Sequence, residues 1–233
     1  MNCSEAVILA GGFGTRLQSV VSGIPKPMAQ VGDKPFLYYV LNYLNKFEIK
    51  RVVLSVGYCH NTIIEYFGNR FGNMELDYAI ENEPLGTGGA VKYATKYIKS
   101  ESFLLLNGDS FFKSDLKQLV KFHKQNNSKI TLSLKELKNF DRYGSVKINR
   151  KGLVTQFSEK KICDIGLINT GVYVVDSAVV KSFNTEKFSF EKDILEKEID
   201  NKTIYGIVSD GYFIDIGIPQ DYEIVQNNIS ELL

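Results

Sequence analysis

Cysteine and histidine are too scarce in this chain to build a disulfide framework or a zinc site. Cys3, Cys59 and Cys163 are odd in number and far apart, and His60 and His123 stand at no ligand spacing from them. A reduced compartment follows. An excess of one charge is also lacking: 28 Lys plus Arg face 27 Asp plus Glu, so no global field draws the chain to nucleic acid or an anionic membrane. Any anion recognition must be local. Long apolar runs are missing as well. No stretch reaches the ~18 apolar residues of a membrane span, and Met1 to Glu5 carries an acid ahead of only a short apolar run, unlike a secretion signal. Together these absences predict a soluble, cytoplasmic protein that engages neither nucleic acid nor membrane.

What is present is ordinary globular material. The chain has 233 residues, 44% of them hydrophobic, enough to bury one sizeable core. With no repeat, low-complexity tract or linker, residues 1–233 are expected to form a single domain. Short apolar runs alternate with helix-period segments through the first half, which predicts parallel strands joined by helical crossovers. Ala6 to Leu9, Arg51 to Val56, Leu76 to Ile80 and Phe103 to Leu106 read as strands. Leu37, Val40, Leu41, Leu44 and Phe47 form one stripe on a helix starting near Pro35, and further helices are expected near Thr62 to Phe67, from about Gly89 to Ile98 and near Leu116 to Gln125. The pattern then changes. Ile130 to Leu134, Gly144 to Ile148, Val154 to Phe157 and Ile168 to Val175 are strand-like with little helix between them, suggesting an antiparallel or mixed extension that covers a second substrate. Helices near Phe190 to Ile199 and Asp221 to Ile229 close the chain, around strand-like Thr203 to Val208 and Tyr212 to Ile214.

Leu9-Ala10-Gly11-Gly12-Phe13-Gly14-Thr15-Arg16-Leu17 directly follows the first strand, at the edge where open α/β sheets bind ligands. Glycines there let backbone N–H groups approach phosphate oxygens. Two familiar motifs are excluded: no Gly-Lys-Ser/Thr ends a P-loop, and Leu17 stands where a dinucleotide fingerprint needs its third glycine. Arg16 and Lys26, the latter inside Pro25-Lys26-Pro27, supply a planar fork and a compact charge for an anion. On these residues alone, a structural turn with two solvated cations remains the alternative. The adjacent Cys59-His60 lacks a third orienting group at an interpretable spacing, so it reads as loop and helix start.

Ala10 to Leu17 with Pro25-Lys26-Pro27 resembles the signature of the sugar-phosphate nucleotidyltransferases. The resemblance implies a Rossmann-like, GT-A-like, doubly wound mixed sheet with a sugar-binding β extension, with about 1–135 serving mainly the nucleotide and about 136–233 mainly the sugar and closure. It further implies that Leu9, Ala10, Gly11, Gly12, Gly14 and Thr15 cradle a nucleoside triphosphate, and that Arg16 and Lys26 contact phosphates. Asp109, in Gly108-Asp109, and Asp215, in Phe213-Ile214-Asp215-Ile216-Gly217, each end an apolar stretch and match the family's Mg²⁺ acids. Two carboxylates suit that hard ion, although each alone is equally a cap or turn former. Phe111 stands where the Asp-x-Asp motif of related glycosyltransferases would put its second acid.

Glu83 to Ala90 is a second small-residue run, expected where backbone lies against a planar base, and in the family it lines the nucleoside pocket, here through Gly86 and Thr87. Family members using uridine or thymidine triphosphate carry a Gln just upstream, where this chain has Glu81. Guanine presents two adjacent donors, N1–H and N2–H₂, that suit a carboxylate, so Glu81 argues for GTP, with Glu83 as the substitute reader. Tyr143-Gly144, Glu159-Lys160 and Asn169-Thr170-Gly171, with Gly108, match the family's sugar-phosphate segments, although Lys161 replaces the Pro that many relatives have after the Glu-Lys pair. The likeness runs from Val7 to about Tyr222. Phe140 to Gly144, Gly166 to Asn169 and Tyr212 to Gly217 look most like the heptose branch, whose GDP-sugars serve lipopolysaccharide or capsule synthesis. A non-catalytic nucleotide-sensing subunit would lack a metal acid or a phosphate cation; this chain retains both. The pattern leaves the sugar open, and also a homo-oligomer. Glu81→Gln is expected to weaken selectivity for GTP, and pyrophosphate release in GTP–UTP competition checks it.

Overall fold

A computed structural model describes residues 3–12, 23–158 and 162–233. The first half runs β1 (Glu5–Leu9), the hairpin β2 (Gln30–Val31) and β3 (Lys34–Pro35), α1 (Phe36–Asn45), β4 (Arg51–Val56), α2 (His60–Phe67), β5 (Arg70–Phe71), β6 (Met74–Ile80), α3 (Gly86–Ala94) and β7 (Ser102–Asn107). Then follow β8 (Ser110–Phe112), α4 (Leu116–Gln125), β9 (Ile130–Phe140), β10 (Ser145–Ile148), β11 (Val154–Ser158), β12 (Cys163–Asp176) and α5 (Ser177–Lys181). A π-helical turn (Phe190–Leu195) leads into α6 (Glu196–Glu198), followed by β13 (Ile204–Val208), β14 (Phe213–Asp215) and α7 (Pro219–Asn227).

The doubly wound mixed sheet expected from the sequence is present. Strands β7, β1, β4 and β6 are parallel neighbours. Alternate residues along them serve opposite faces. Ala6 and Ile8, Val52 and Leu54, and Leu104 and Leu106 pack with α1, α2, α4 and α7, whereas Val7, Val53, Phe103 and Leu105 pack with α3, α5 and the π-helical turn. Strand β12 joins the sheet antiparallel to β7 and also pairs β9 and β10, which makes the mixed extension.

Several elements differ from the expected bounds. Strands β9 and β12 are longer than their apolar cores because their outer halves pair with each other while exposed to solvent on one side. Helix α3 begins at Gly86 and ends at Ala94, earlier at both ends than its apolar stripe implied. The segment expected as one helix from Phe190 begins instead as the π-helical turn. Within β12 the register on β9 slips between Asn169 and Tyr173, and Gly171 takes φ +79° in this bulge.

The glycines of α3 have a packing cause that the sequence reading missed. A Cβ on Gly88 would run into the Phe188 ring, one on Gly89 into the Glu186 carbonyl, and one on Gly86 would lie 2.6 Å from the Phe188 carbonyl oxygen. That carbonyl accepts from Gly88 N–H (3.0 Å) and Gly89 N–H (3.3 Å), so residues 186–190 cap this helix. The run therefore admits the chain's own backbone at close range. Gly89→Ala should cost about 1–3 kcal/mol through overpacking against that backbone, read as a fall of several degrees in Tm.

Candidate active site

Three backbone hydrogen bonds gather the loops that follow the parallel strands. Gly108 N–H donates to Leu9 O, Ala10 N–H to Ser55 O and Glu81 N–H to Val56 O, each at 2.8 Å. Gly108 must be glycine for this approach, since a Cβ would lie 2.7 Å from Leu9 O. A cavity of ≈ 790 Å³ opens along this edge, lined by Leu9, Gly11, Gly12, Lys26, Glu81, Gly86, Thr87 and Asp109 among others. A second, of ≈ 370 Å³, is lined by Tyr143, Gly144, Asn169, Thr170, Tyr173 and Asp215 among others. Asn107, Glu191 and Gly217 line both, so the cavities adjoin.

The acids and one cation meet at that junction. Strand β14 pairs antiparallel with β8, bringing Asp215 opposite Ser110 and so beside Asp109. Lys26, in the helical turn Lys26–Met28 that follows Pro25, donates from Nζ to Asp109 Oδ2 at 2.6 Å and lies 3.9 Å from Asp215 Oδ1. Burial pushes the Asp215 carboxyl above the usual carboxylate range; Lys26 opposes the shift and Asp109 reinforces it. Gly217 N–H donates to Asp215 Oδ1, and a Cβ at Gly217 would collide with that oxygen. One ammonium thus faces two carboxylates. A hard divalent ion that takes one or two carboxylates and keeps its remaining ligands for water and phosphate fits this donor set. Among the described residues, no group of three or more His, Cys, Asp or Glu forms a fuller cage.

Glu81 is held at both oxygens. Oε1 accepts from Ser55 Oγ at 2.9 Å and Oε2 from Leu85 N–H at 3.2 Å. Glu83 lines the same cavity but is exposed, which leaves Glu81 as the positioned carboxylate. Cys59, at φ 49°, precedes α2, and His60 Nδ1 lies 3.1 Å from Gly57 O, so this pair is indeed a turn and a helix start.

In the smaller cavity the β12 bulge aims Asn169, whose Nδ2 donates to Tyr173 Oη at 2.7 Å and whose Oδ1 accepts from Gly171 N–H. A Cβ at Gly171 would lie 2.6 Å from Asn107 Nδ2. Thr170 lines this cavity too, and its hydroxyl donates to Ser133 O at 2.8 Å, which ties it to the sheet. The Tyr143 ring packs edge-on against Phe213 at 5.5 Å and lies under the Arg142 guanidinium, which is itself anchored on Asp221. Gly14, Thr15, Arg16, Leu17, Glu159, Lys160 and Lys161 lie outside the described residues.

Sequence reasoning did not single out Asn107 or Glu191. Asn107 is a polar residue ending an apolar strand just before Gly108-Asp109, which is a readable signal. Glu191 lies in the π-helical turn two residues after Ser189, and its Oε2 accepts from Ser189 Oγ at 3.0 Å and from the distant Thr87 Oγ1 at 2.7 Å, a pairing that no local pattern announces.

The family model described as "Nucleotidyl transferase" matches residues 5–231. The chain belongs to the nucleotidyl transferase family. Among its relatives, the D-glycero-alpha-D-manno-heptose 1-phosphate guanylyltransferase of Aneurinibacillus thermoaerophilus is 48% identical over 98% of this chain and 100% of its own length. The protein of that name from Campylobacter jejuni is 47% identical, covering 94% of this chain and 96% of its own. HddC from Yersinia pseudotuberculosis, solved as a complex with GMP-PN, superposes with a TM-score of 0.86 at 39% identity, covering 97% of this chain and 99% of that one. In this nucleotidyltransferase, Lys26→Ala leaves the two adjacent carboxylates without their ammonium. It is expected to lower kcat/KM by about 10²–10³-fold, the cost of losing one preorganised charge at a reacting phosphate, with steady-state kinetics as the check.

Proposed function

We propose that this enzyme transfers a guanylyl group from GTP to D-glycero-α-D-manno-heptose 1-phosphate, forming a GDP-sugar and releasing pyrophosphate. The observation that carries the reading is a pair of adjoining cavities, one edged by the Glu81 carboxylate and the other by Asn169 and Tyr143, that meet at Asp109, Asp215 and Lys26. Near-full-length similarity to two heptose 1-phosphate guanylyltransferases supports the choice of sugar and base. A cytoplasmic enzyme supplying activated heptose for lipopolysaccharide or capsule synthesis accords with that reaction.

The sugar-1-phosphate oxygen attacks the α-phosphorus of GTP in line with the departing pyrophosphate. The second pKa of a phosphate monoester is about 6, so this nucleophile is largely ionised at neutral pH and needs no general base. The barrier lies in bringing two anions together and holding them aligned. Mg²⁺ bound by Asp109 and Asp215 would neutralise charge on the triphosphate and the leaving group. Lys26 stands where an arriving phosphate competes with Asp109 for its ammonium. Arg16 and Lys160 take triphosphate and sugar phosphate respectively, a role resting on the sequence motifs. Leu9 to Gly12, Gly86 and Thr87 bound the nucleotide, while Gly144, Asn169 and Glu159 serve the sugar hydroxyls. On this division residues 1–233 act as one domain, the first part mainly for nucleotide and the part after about 135 mainly for sugar and closure.

A matrix of four nucleoside triphosphates against several sugar 1-phosphates, scored by pyrophosphate release, tests the reading. GTP with the heptose 1-phosphate should react fastest, EDTA should stop the reaction, and added Mg²⁺ should restore it. No release with any pair would sink the proposal.

A further inference from the structure

Strand β4 carries one residue out of keeping with its surroundings. In Arg51-Val52-Val53-Leu54-Ser55-Val56 every residue from Val52 onward is fully buried, and Ser55 shares the face of Val53. A hydroxyl buried there costs stability unless it is hydrogen-bonded. Its partner is the Glu81 carboxylate, at 2.9 Å.

We propose that Ser55 is the positioning residue for base selectivity: it holds the Glu81 carboxylate in register with the two-donor edge of guanine, and so sets the preference for GTP over purine triphosphates lacking the 2-amino group. This rests on Glu81 as the base reader. A carboxylate offers about four lone-pair sites. Ser55 Oγ takes one on Oε1 and Leu85 N–H takes one on Oε2, which leaves one on each oxygen for donors from the cavity. Guanine brings N1–H and N2–H₂ side by side; hypoxanthine brings N1–H alone. Gly11 keeps the carboxylate accessible, since a Cβ there would lie 3.2 Å from Glu81 Oε1. With both oxygens held, the plane of the carboxylate is set before the base arrives. With the hydroxyl removed, Leu85 N–H alone holds the group, at one oxygen, and the carboxylate can turn. A two-point contact then suffers more than a one-point contact.

Equilibrium titration of the full-length chain with GTP and with ITP, in Mg²⁺, tests this independently of the sugar. Ser55→Ala removes only an oxygen and should leave Tm within a few degrees of wild type. It should weaken GTP binding about five- to tenfold, the scale of one hydrogen bond, and ITP binding by less than about twofold, so that the GTP/ITP ratio falls. Glu81→Gln separates the two levels of the argument. If Glu81→Gln keeps the wild-type ratio, Glu81 is not the base reader and the Ser55 role falls with it. If Glu81→Gln loses the preference while Ser55→Ala keeps it, or if Ser55→Ala weakens both nucleotides equally, Ser55 is a structural residue and the positioning role alone is overturned.

Discussion

The parallel ladder of β7, β1, β4 and β6 continues past its strands through Gly108 N–H to Leu9 O, Ala10 N–H to Ser55 O and Glu81 N–H to Val56 O. Buried backbone groups at a strand end need partners, and here each is satisfied by the residue that begins the next loop. Asp109, the glycines at 11 and 12, and Glu81 thereby reach one edge of the sheet from sequence positions far apart. The remaining site features depend on this convergence. Lys26 meets Asp109 because Asp109 leaves β7 beside the first loop, and Asp215 joins them because β14 pairs with β8 immediately beyond.

At the junction, electrostatics and packing constrain each other. Two carboxylates face one ammonium, and burial pushes the Asp215 carboxyl up while Lys26 and the Gly217 N–H hold it down. Gly217 belongs to this balance because any side chain there would displace the carboxylate oxygen it serves. An arrangement with one charge left over is suited to a reaction that brings phosphate anions and a divalent ion to the same place.

The smaller cavity borders an irregularity in β12. A regular β12 would alternate its side chains between two faces, but the slip between Asn169 and Tyr173 breaks that alternation and re-aims Asn169. Gly171 accommodates both the positive φ and the Asn107 side chain, which ties the bulge to the end of β7. The chain's closing segment then links the two sides, with Glu191 accepting from Thr87 and Ser189 while lining both cavities.

By itself the sequence determined the parallel core and the position of the polar residues at its strand ends. Hydrophobic period is a local property, so β4 and α4 are read at their observed ends, and the turn at Cys59-His60 and the strand-ending acids are visible residue by residue. The carboxylate at Glu81 was legible just ahead of the glycine run that opens α3. Only the tertiary structure decided how those residues are used. Gly88 and Gly89 of α3 pack closely against Phe188 and Glu186, the Thr170 hydroxyl donates to Ser133 O, and Lys26 is paired with two acids more than eighty residues away in the chain. The reason is physical: period and propensity act over neighbouring residues, whereas close approach, bulge register and charge pairing are set by partners that only the folded chain brings together.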